Sequence, residues 1–247
     1  MNGIEIAREA TTGFNNLGWR YYFDAETAAV GKGHGLGVLK FYFLGRGGAL
    51  GDVEWPAVCS AFGYFKPSMV ETIWNDSRQV IPARAAAHFH LECCAAFGRA
   101  HLSDIAGLGA FCVAAQQVVG AAELAGLSLF AGFVAQALPD DPPAQAMRLI
   151  AALREMRGSA HLAAVVAAGV APRVAHAIKR PNDLAMFGWS AEDIPAITDA
   201  QRQTMVDVEA QTDRLIAPAY EVLDDAGASA LLDALRAANA LFADDPH

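Results

Sequence analysis

Between residues 105 and 138 the chain carries one charged residue, Glu123, in a run rich in Ala, Gly, Leu, Val and Phe. Such a run belongs either in a bilayer or in the interior of a folded domain. A spanning helix needs about 20 largely uninterrupted apolar residues, and Gln116, Gln117, Glu123, Ser128 and several glycines divide this one. Nor does a Lys or Arg cluster flank it to set a topology. The run therefore reads as two core helices of a soluble protein with no membrane contact.

The rest of the class follows from composition. Hydrophobic residues make up 54% of 247, ample for a real core. Alanine dominates, while β-branched and aromatic residues are too sparse for an all-β chain, so a mainly α fold is expected. At residues 138–144 three prolines and two aspartates break any helix and suit a connector. That break divides the chain into a helical domain, residues 1–138, and a second helical domain, residues 144–247.

Within the first domain, residues 38–44 are short enough to be strand or helix by periodicity alone. Residues 53–65, 68–75 and 82–99 read as helices. In the second, residues 144–157 have helical spacing, and Gly158 reads as an interruption or a close-packing point. Short helices are expected over 161–168 and 174–179, and a long one over 198–223 with Met205, Val208, Leu215 and Ala219 along one stripe. A last helix covers 228–242.

Lys and Arg number 18 against 27 Asp and Glu, a net charge of −9. With no basic block, this argues against a nucleic-acid partner, which needs local positive charge to displace counterions. The start, with Glu5 and no basic segment before an apolar run, is not a signal peptide, and a cytoplasmic location is expected. Cys59, Cys93, Cys94 and Cys112 show no CxxC spacing and read as reduced, mostly buried thiols.

Glycine clusters at 31–37 and 45–51 invite a phosphate-loop reading, but no GK[S/T] follows and no dinucleotide spacing fits. Turns and tight helix packing explain them better. His90, Cys94 and His101 fall on one face of a helix, yet the two histidines lie about three turns apart, too far to share an ion. They read as core residues, no metal ligand is assigned, and the identity of any cofactor stays open.

A more promising group lies further on. Arg154, Arg157 and His161 share a face at spacings of three and four, and Glu209 and Asp213 share another. Either these groups form a structural ion-pair network, or they line a pocket. In a pocket His161 acts as acid or base, oriented by Glu209 or Asp213, while an arginine grips an anion.

Several short motifs recur in a known pattern: Tyr42 with Gly45 and Arg46, Leu50 with Gly51, Trp55 with Pro56, Phe62 to Phe65 with Pro67, and Trp74. Further on come residues 153–161, Gly188 with Trp189 and Ser190, Thr198, Glu209, and Thr212 with Asp213. Together they resemble the SalK-type helix-turn-helix family, a group of actinobacterial proteins whose C-terminal half looks like that of MarR-type regulators. The resemblance implies a helical N-terminal region and a winged helix-turn-helix, with a recognition helix and hairpin wing between Ser190 and Thr198. Here residues 191–197 alone separate the two, too few for either element.

What the resemblance then implies is a degenerate winged-helix-like second domain in a small-molecule-binding protein whose DNA reader has been lost. Tyr42, Arg46, Trp74, Arg154 and Arg157 become ligand-binding candidates. Arg46 either anchors an acidic ligand group or caps helix ends. The alternatives are an enzyme of specialised metabolism using His161, Glu209 and Asp213, a DNA-binding regulator, or an interaction protein that forms a homodimer through the long helix.

Overall fold

Gly98 and Pro143 show how this sequence sets its packing. A Cβ on Gly98 would lie 2.3 Å from the Pro143 carbonyl oxygen and 2.8 Å from Met147 Cβ, so the absent side chain lets two helices approach at backbone distance. Alanine-rich surfaces repeat this economy across the molecule, and Ala86, Ala95, Ala146 and Ala151 are fully buried.

The computed structural model describes residues 1–243, and among them every regular element is helical. The fold is mainly α. In chain order come α1 (Gly3–Leu17), α2 (Ala25–Gly33), α3 (Val38–Gly47), α4 (Trp55–Phe62), α5 (Pro67–Ser77) and α6 (Ala83–His101). Then follow α7 (Leu108–Ala121), α8 (Ser128–Val134), α9 (Pro142–Ala167), α10 (Pro172–Lys179), α11 (Asp199–Tyr220) and α12 (Asp225–Ala240).

The ambiguous segment 38–44 is helical, part of α3. The expected helix over 53–65 is shorter, ending at Phe62 because Gly63 turns the chain with φ of +66°. The run with Glu123 as its one charge forms α7 and α8, whose Phe111, Cys112, Phe130 and Phe133 enter the core. No single helix among the described residues is long and apolar enough to cross a membrane. The pair α9 and α10 has such a composition only jointly, bent by 116°.

At Gly158 the expectation of an interruption fails. α9 runs unbroken from Pro142 to Ala167 and merges the two helices expected over 144–157 and 161–168. Nor is Gly158 a close-packing point, since a Cβ there would meet nothing within 4 Å. A mid-helix glycine costs about 1 kcal/mol, whereas burying one large apolar side chain yields about 1.5–3 kcal/mol. α9 buries Met147, Leu149, Ile150, Leu153 and Met156, so burial decides.

The connector leads straight into α9, where Asp141 accepts from Ala144 N at 3.3 Å and Pro142 opens the first turn. α9 packs against α6, α7 and α8 from before the connector and against α1 and α11 from either end of the chain. A single cluster of buried apolar residues extends from Ile6 to Ala238. A smaller one joins Val165, Val174, Met205 and Val208 where α9, α10 and α11 meet. Residues 244–247 of the expected second domain lie outside the described residues.

α11 opens on a capping box: Gln201 N donates to Thr198 Oγ1 at 3.2 Å, and Thr198 N donates to Gln201 Oε1 at 2.9 Å. Its buried stripe runs Met205, Val208, Thr212, Ile216, Ala219. Leu215, expected on that stripe, lies at its margin and is 48% exposed, because Thr212 and Ile216 occupy the centre.

Candidate functional site

A cleft of about 190 Å³ opens where the second half of α9 faces α10, α3 and the loop after α4. α9 presents Arg154, Arg157, Gly158, His161 and Leu162 to it, an i, i+3, i+4, i+7, i+8 pattern along one helix face. Gly158 gives the cleft its depth, because no other atom fills the space a side chain there would take. Phe62, Phe65 and Phe187 supply the apolar wall, with Phe65 and Phe187 stacked at 4.2 Å between ring centroids.

At one end lies a buried charge network. Arg46 donates from Nε to Glu155 Oε1 at 2.9 Å and from Nη2 to Oε2 at 2.8 Å, a bidentate pair. Tyr22 Oη and Arg154 Nη1 also donate to Oε1, at 2.9 and 3.2 Å. Burial alone would raise the Glu155 pKa, but the guanidinium of Arg46, with Arg154 and the Tyr22 hydroxyl, holds its carboxyl below the usual range. Arg46 Nη1 turns to the Tyr42 hydroxyl at 3.1 Å.

At the other end, Glu209 of α11 bridges two cations. Arg157 Nη2 donates to it at 2.6 Å, and Lys179 Nζ bonds its second oxygen. Burial works to raise the Glu209 pKa, yet Lys179 and Arg157 outweigh it and hold the carboxyl at about 2. Arg157 Nε donates to Thr11 Oγ1 at 3.2 Å, tying the group to α1.

His161 meets Thr212 with Nδ1 and Oγ1 3.1 Å apart. The Thr212 hydroxyl donates its proton to Val208 O at 2.8 Å, so it accepts from Nδ1. This assigns the proton of the neutral ring to Nδ1 and leaves a lone pair on Nε2. Burial lowers the His161 pKa to about 4, with Lys179 and Arg157 acting the same way against the pull of Glu209. The arrangement can hold anionic oxygens on its cations and accept a proton or hydrogen bond at His161.

Two polar atoms near the cleft have no hydrogen-bond partner among the described residues: His176 Nε2 and the Tyr64 hydroxyl. Both residues line the cleft, and their ring centroids lie 6.2 Å apart. His176 is 6% exposed, and burial, with Arg180 next, lowers its pKa. An unsatisfied buried polar atom costs about 1–3 kcal/mol, which a bound group can recover.

Tyr64 also fastens the neighbouring segment. Trp189 Nε1 donates to Tyr64 O at 2.7 Å, Lys66 N donates to Phe187 O at 2.9 Å, and Lys66 Nζ pairs with Asp193 at 2.8 Å. Gly188 makes the turn with φ of +80°. Between Gly188 and Asp199, the interval expected to lack a recognition helix and wing, the one helical element is a 3-10 turn at Ala191–Asp193, and no strand occurs among the described residues.

Of the residues singled out in the sequence, Tyr42, Arg46, Arg154, Arg157 and His161 line the cleft, and Glu209 stands behind Arg157. Asp213 turns away to Arg8, whose Nε lies 2.9 Å from Oδ2. Trp74 is fully buried elsewhere, its Nε1 donating to Val53 O at 3.1 Å. Thr212 takes the position beside His161 for which Glu209 or Asp213 was the expected partner. Sequence reasoning gave no site role to His176, Lys179 or Arg180, nor to Tyr64, Glu155 and Thr212, which it met only within the family-like motifs. For Glu155 a signal existed, a carboxylate set among the apolar Leu153 and Met156.

The histidine and cysteine segment on α6 divides. His90 is fully buried among Tyr21, Tyr22 and Phe41, neither ring nitrogen has a hydrogen-bond partner among the described residues, and burial lowers its pKa to about 3. His101 is exposed and packs beside Phe97. Burial raises the thiols of Cys93, Cys94 and Cys112, the last to about 11, and Cys94 Sγ faces Met147 O at 3.6 Å.

No curated protein and no solved structure matches the chain. A family model described as a helix-turn-helix family matches residues 7–246, which include α2 to α12 and both ends of the cleft. The chain belongs to this helix-turn-helix family.

Proposed function

We propose that this helix-turn-helix family member binds a small molecule in the α9 cleft and does not read DNA by the family's usual mode. The carrying observation is a cleft wall with buried polar atoms, His176 Nε2 and the Tyr64 hydroxyl, that lack hydrogen-bond partners among the described residues, in a cleft that Gly158 leaves open. The three-residue turn at Ala191–Asp193, where a recognition helix is required, and the net charge of −9 support the second half of the reading. Native mass spectrometry of freshly purified protein tests it. A mass above the denatured value, retained by wild type and lost in Gly158→Leu, is the expected result. Sequence-dependent, salt-sensitive retardation of a duplex from its own gene neighbourhood overturns it.

A second reading, an enzyme, draws on His161. A neutral imidazole with Nδ1 held by Thr212 presents Nε2 as a base. Turnover that disappears in His161→Gln with unchanged ligand affinity favours this reading.

A further inference from the structure

We infer that the occupant of the cleft is a small organic carboxylate, its anionic group held at the α10 end and its apolar body against Phe62, Phe65 and Phe187; this deepens the small-molecule reading and rests on it. The first ground is a charge imbalance. The chain as a whole is acidic, at −9. Yet the lining holds Arg46, Arg154, Arg157, Lys179 and Arg180 against a single carboxylate, Glu155. Glu155 is shared by Arg46 and Arg154, and Glu209, behind the wall, is shared by Arg157 and Lys179. Arg180 has no ion-pair partner among the described residues. A partly enclosed site with surplus positive charge focuses its field on an anion.

The second ground is independent of charge. His176 is 6% exposed and lines the cleft, and its Nε2 lacks a hydrogen-bond partner among the described residues. A ligand carboxylate oxygen accepts from it in the tautomer that carries the ring proton on Nε2. Size and chemistry narrow the class. About 190 Å³ falls below the roughly 300–1,000 Å³ usual for drug-sized ligands, so the occupant is small. The uncommitted guanidinium of Arg180 presents a planar fork suited to two oxygens. Phe62, Phe65 and Phe187 give the body of the ligand an apolar wall to pack against.

The test uses the full chain and named probes: benzoate, phenylacetate and hexanoate, each beside its own amide, with phenyl phosphate added. Thermal unfolding and titration calorimetry read the outcome. At a hundredfold excess over Kd, a binding acid raises Tm by roughly 5–10 °C. Its amide leaves Tm unchanged, added salt weakens the acid's affinity, and Arg180→Ala weakens it about tenfold. Arg180 is exposed, so its loss leaves the fold intact, and circular dichroism checks this.

Equal binding of acid and amide overturns the carboxylate while leaving the small-molecule reading standing. Binding of phenyl phosphate alone also overturns it. No shift with any probe overturns it as well, and the co-purified mass measured by native spectrometry decides the underlying reading separately.

Discussion

Arg46 grips both oxygens of Glu155, at 2.9 and 2.8 Å, and Glu155 of α9 is 1% exposed while its partner lies six helices earlier, on α3. Breaking such a pair leaves one charge buried and alone. Glu155→Gln is expected to destabilise the protein by about 3–5 kcal/mol. The double change Arg46→Met with Glu155→Leu costs less than the two single changes together. Calorimetric unfolding of all four proteins measures the coupling, and strict additivity would show that the pair is not buried in solution.

Stability should fall as pH drops from 6.5 towards 4. His161 and His90 have folded pKa values of about 4 and 3, below the ordinary 6.5. Each is neutral when folded and takes up a proton first when unfolded, so its contribution is complete above 6.5 and is lost on acidification. Each proton adds about 1.4 kcal/mol per pH unit to the slope. Glu155, with a lowered pKa, adds its loss only below the ordinary carboxylate value, so the window from 6.5 to 4.5 belongs to the histidines. His90→Phe, which keeps a ring among Tyr21, Tyr22 and Phe41, should reduce that slope in urea titrations and leave the share of His161 and of His176, whose pKa burial also lowers; an unchanged slope refutes the assignment.

Gly158→Ala should raise stability by about 0.5–1 kcal/mol, because helix entropy improves and the new methyl meets no atom. The same methyl intrudes on the cleft and weakens any ligand found there. A gain in Tm accompanied by a loss in affinity separates this site from an ordinary helix position. A drop in Tm would mean the cleft closes in solution.

Thr212→Val should release His161 from its tautomer. With the hydroxyl gone, Nδ1–H loses its acceptor, and nitrogen NMR should report a mixed Nδ1–H and Nε2–H population in place of one form. A ring that stays wholly Nδ1–H in the variant would show that Thr212 does not set it.

The helical class was legible because alanine content and sparse β-branching act residue by residue. The meeting of Arg157 with Glu209 was legible for a similar reason, since spacings of three and four define helix faces before any tertiary contact is known. Asp213 shares that face with Glu209, but a turn of helix separates them, and α1 brings Arg8 to the far one. Gly158 misled because local propensity suggests a break, while the burial that overrides it depends on six other helices packing around α9. The place of Tyr64, His176 and Phe187 in the cleft was not legible. Their part in the cleft depends on a loop, a short helix and a 3-10 turn meeting across more than a hundred residues of chain.

The indole of Trp189 is bonded to the backbone of the residue whose ring forms part of the cleft wall. Anything that displaces Tyr64 therefore disturbs the surroundings of a natural fluorophore. The protein carries its own optical gauge, and occupancy can be followed by tryptophan emission without a label, on a background set by replacing Trp189 with Phe.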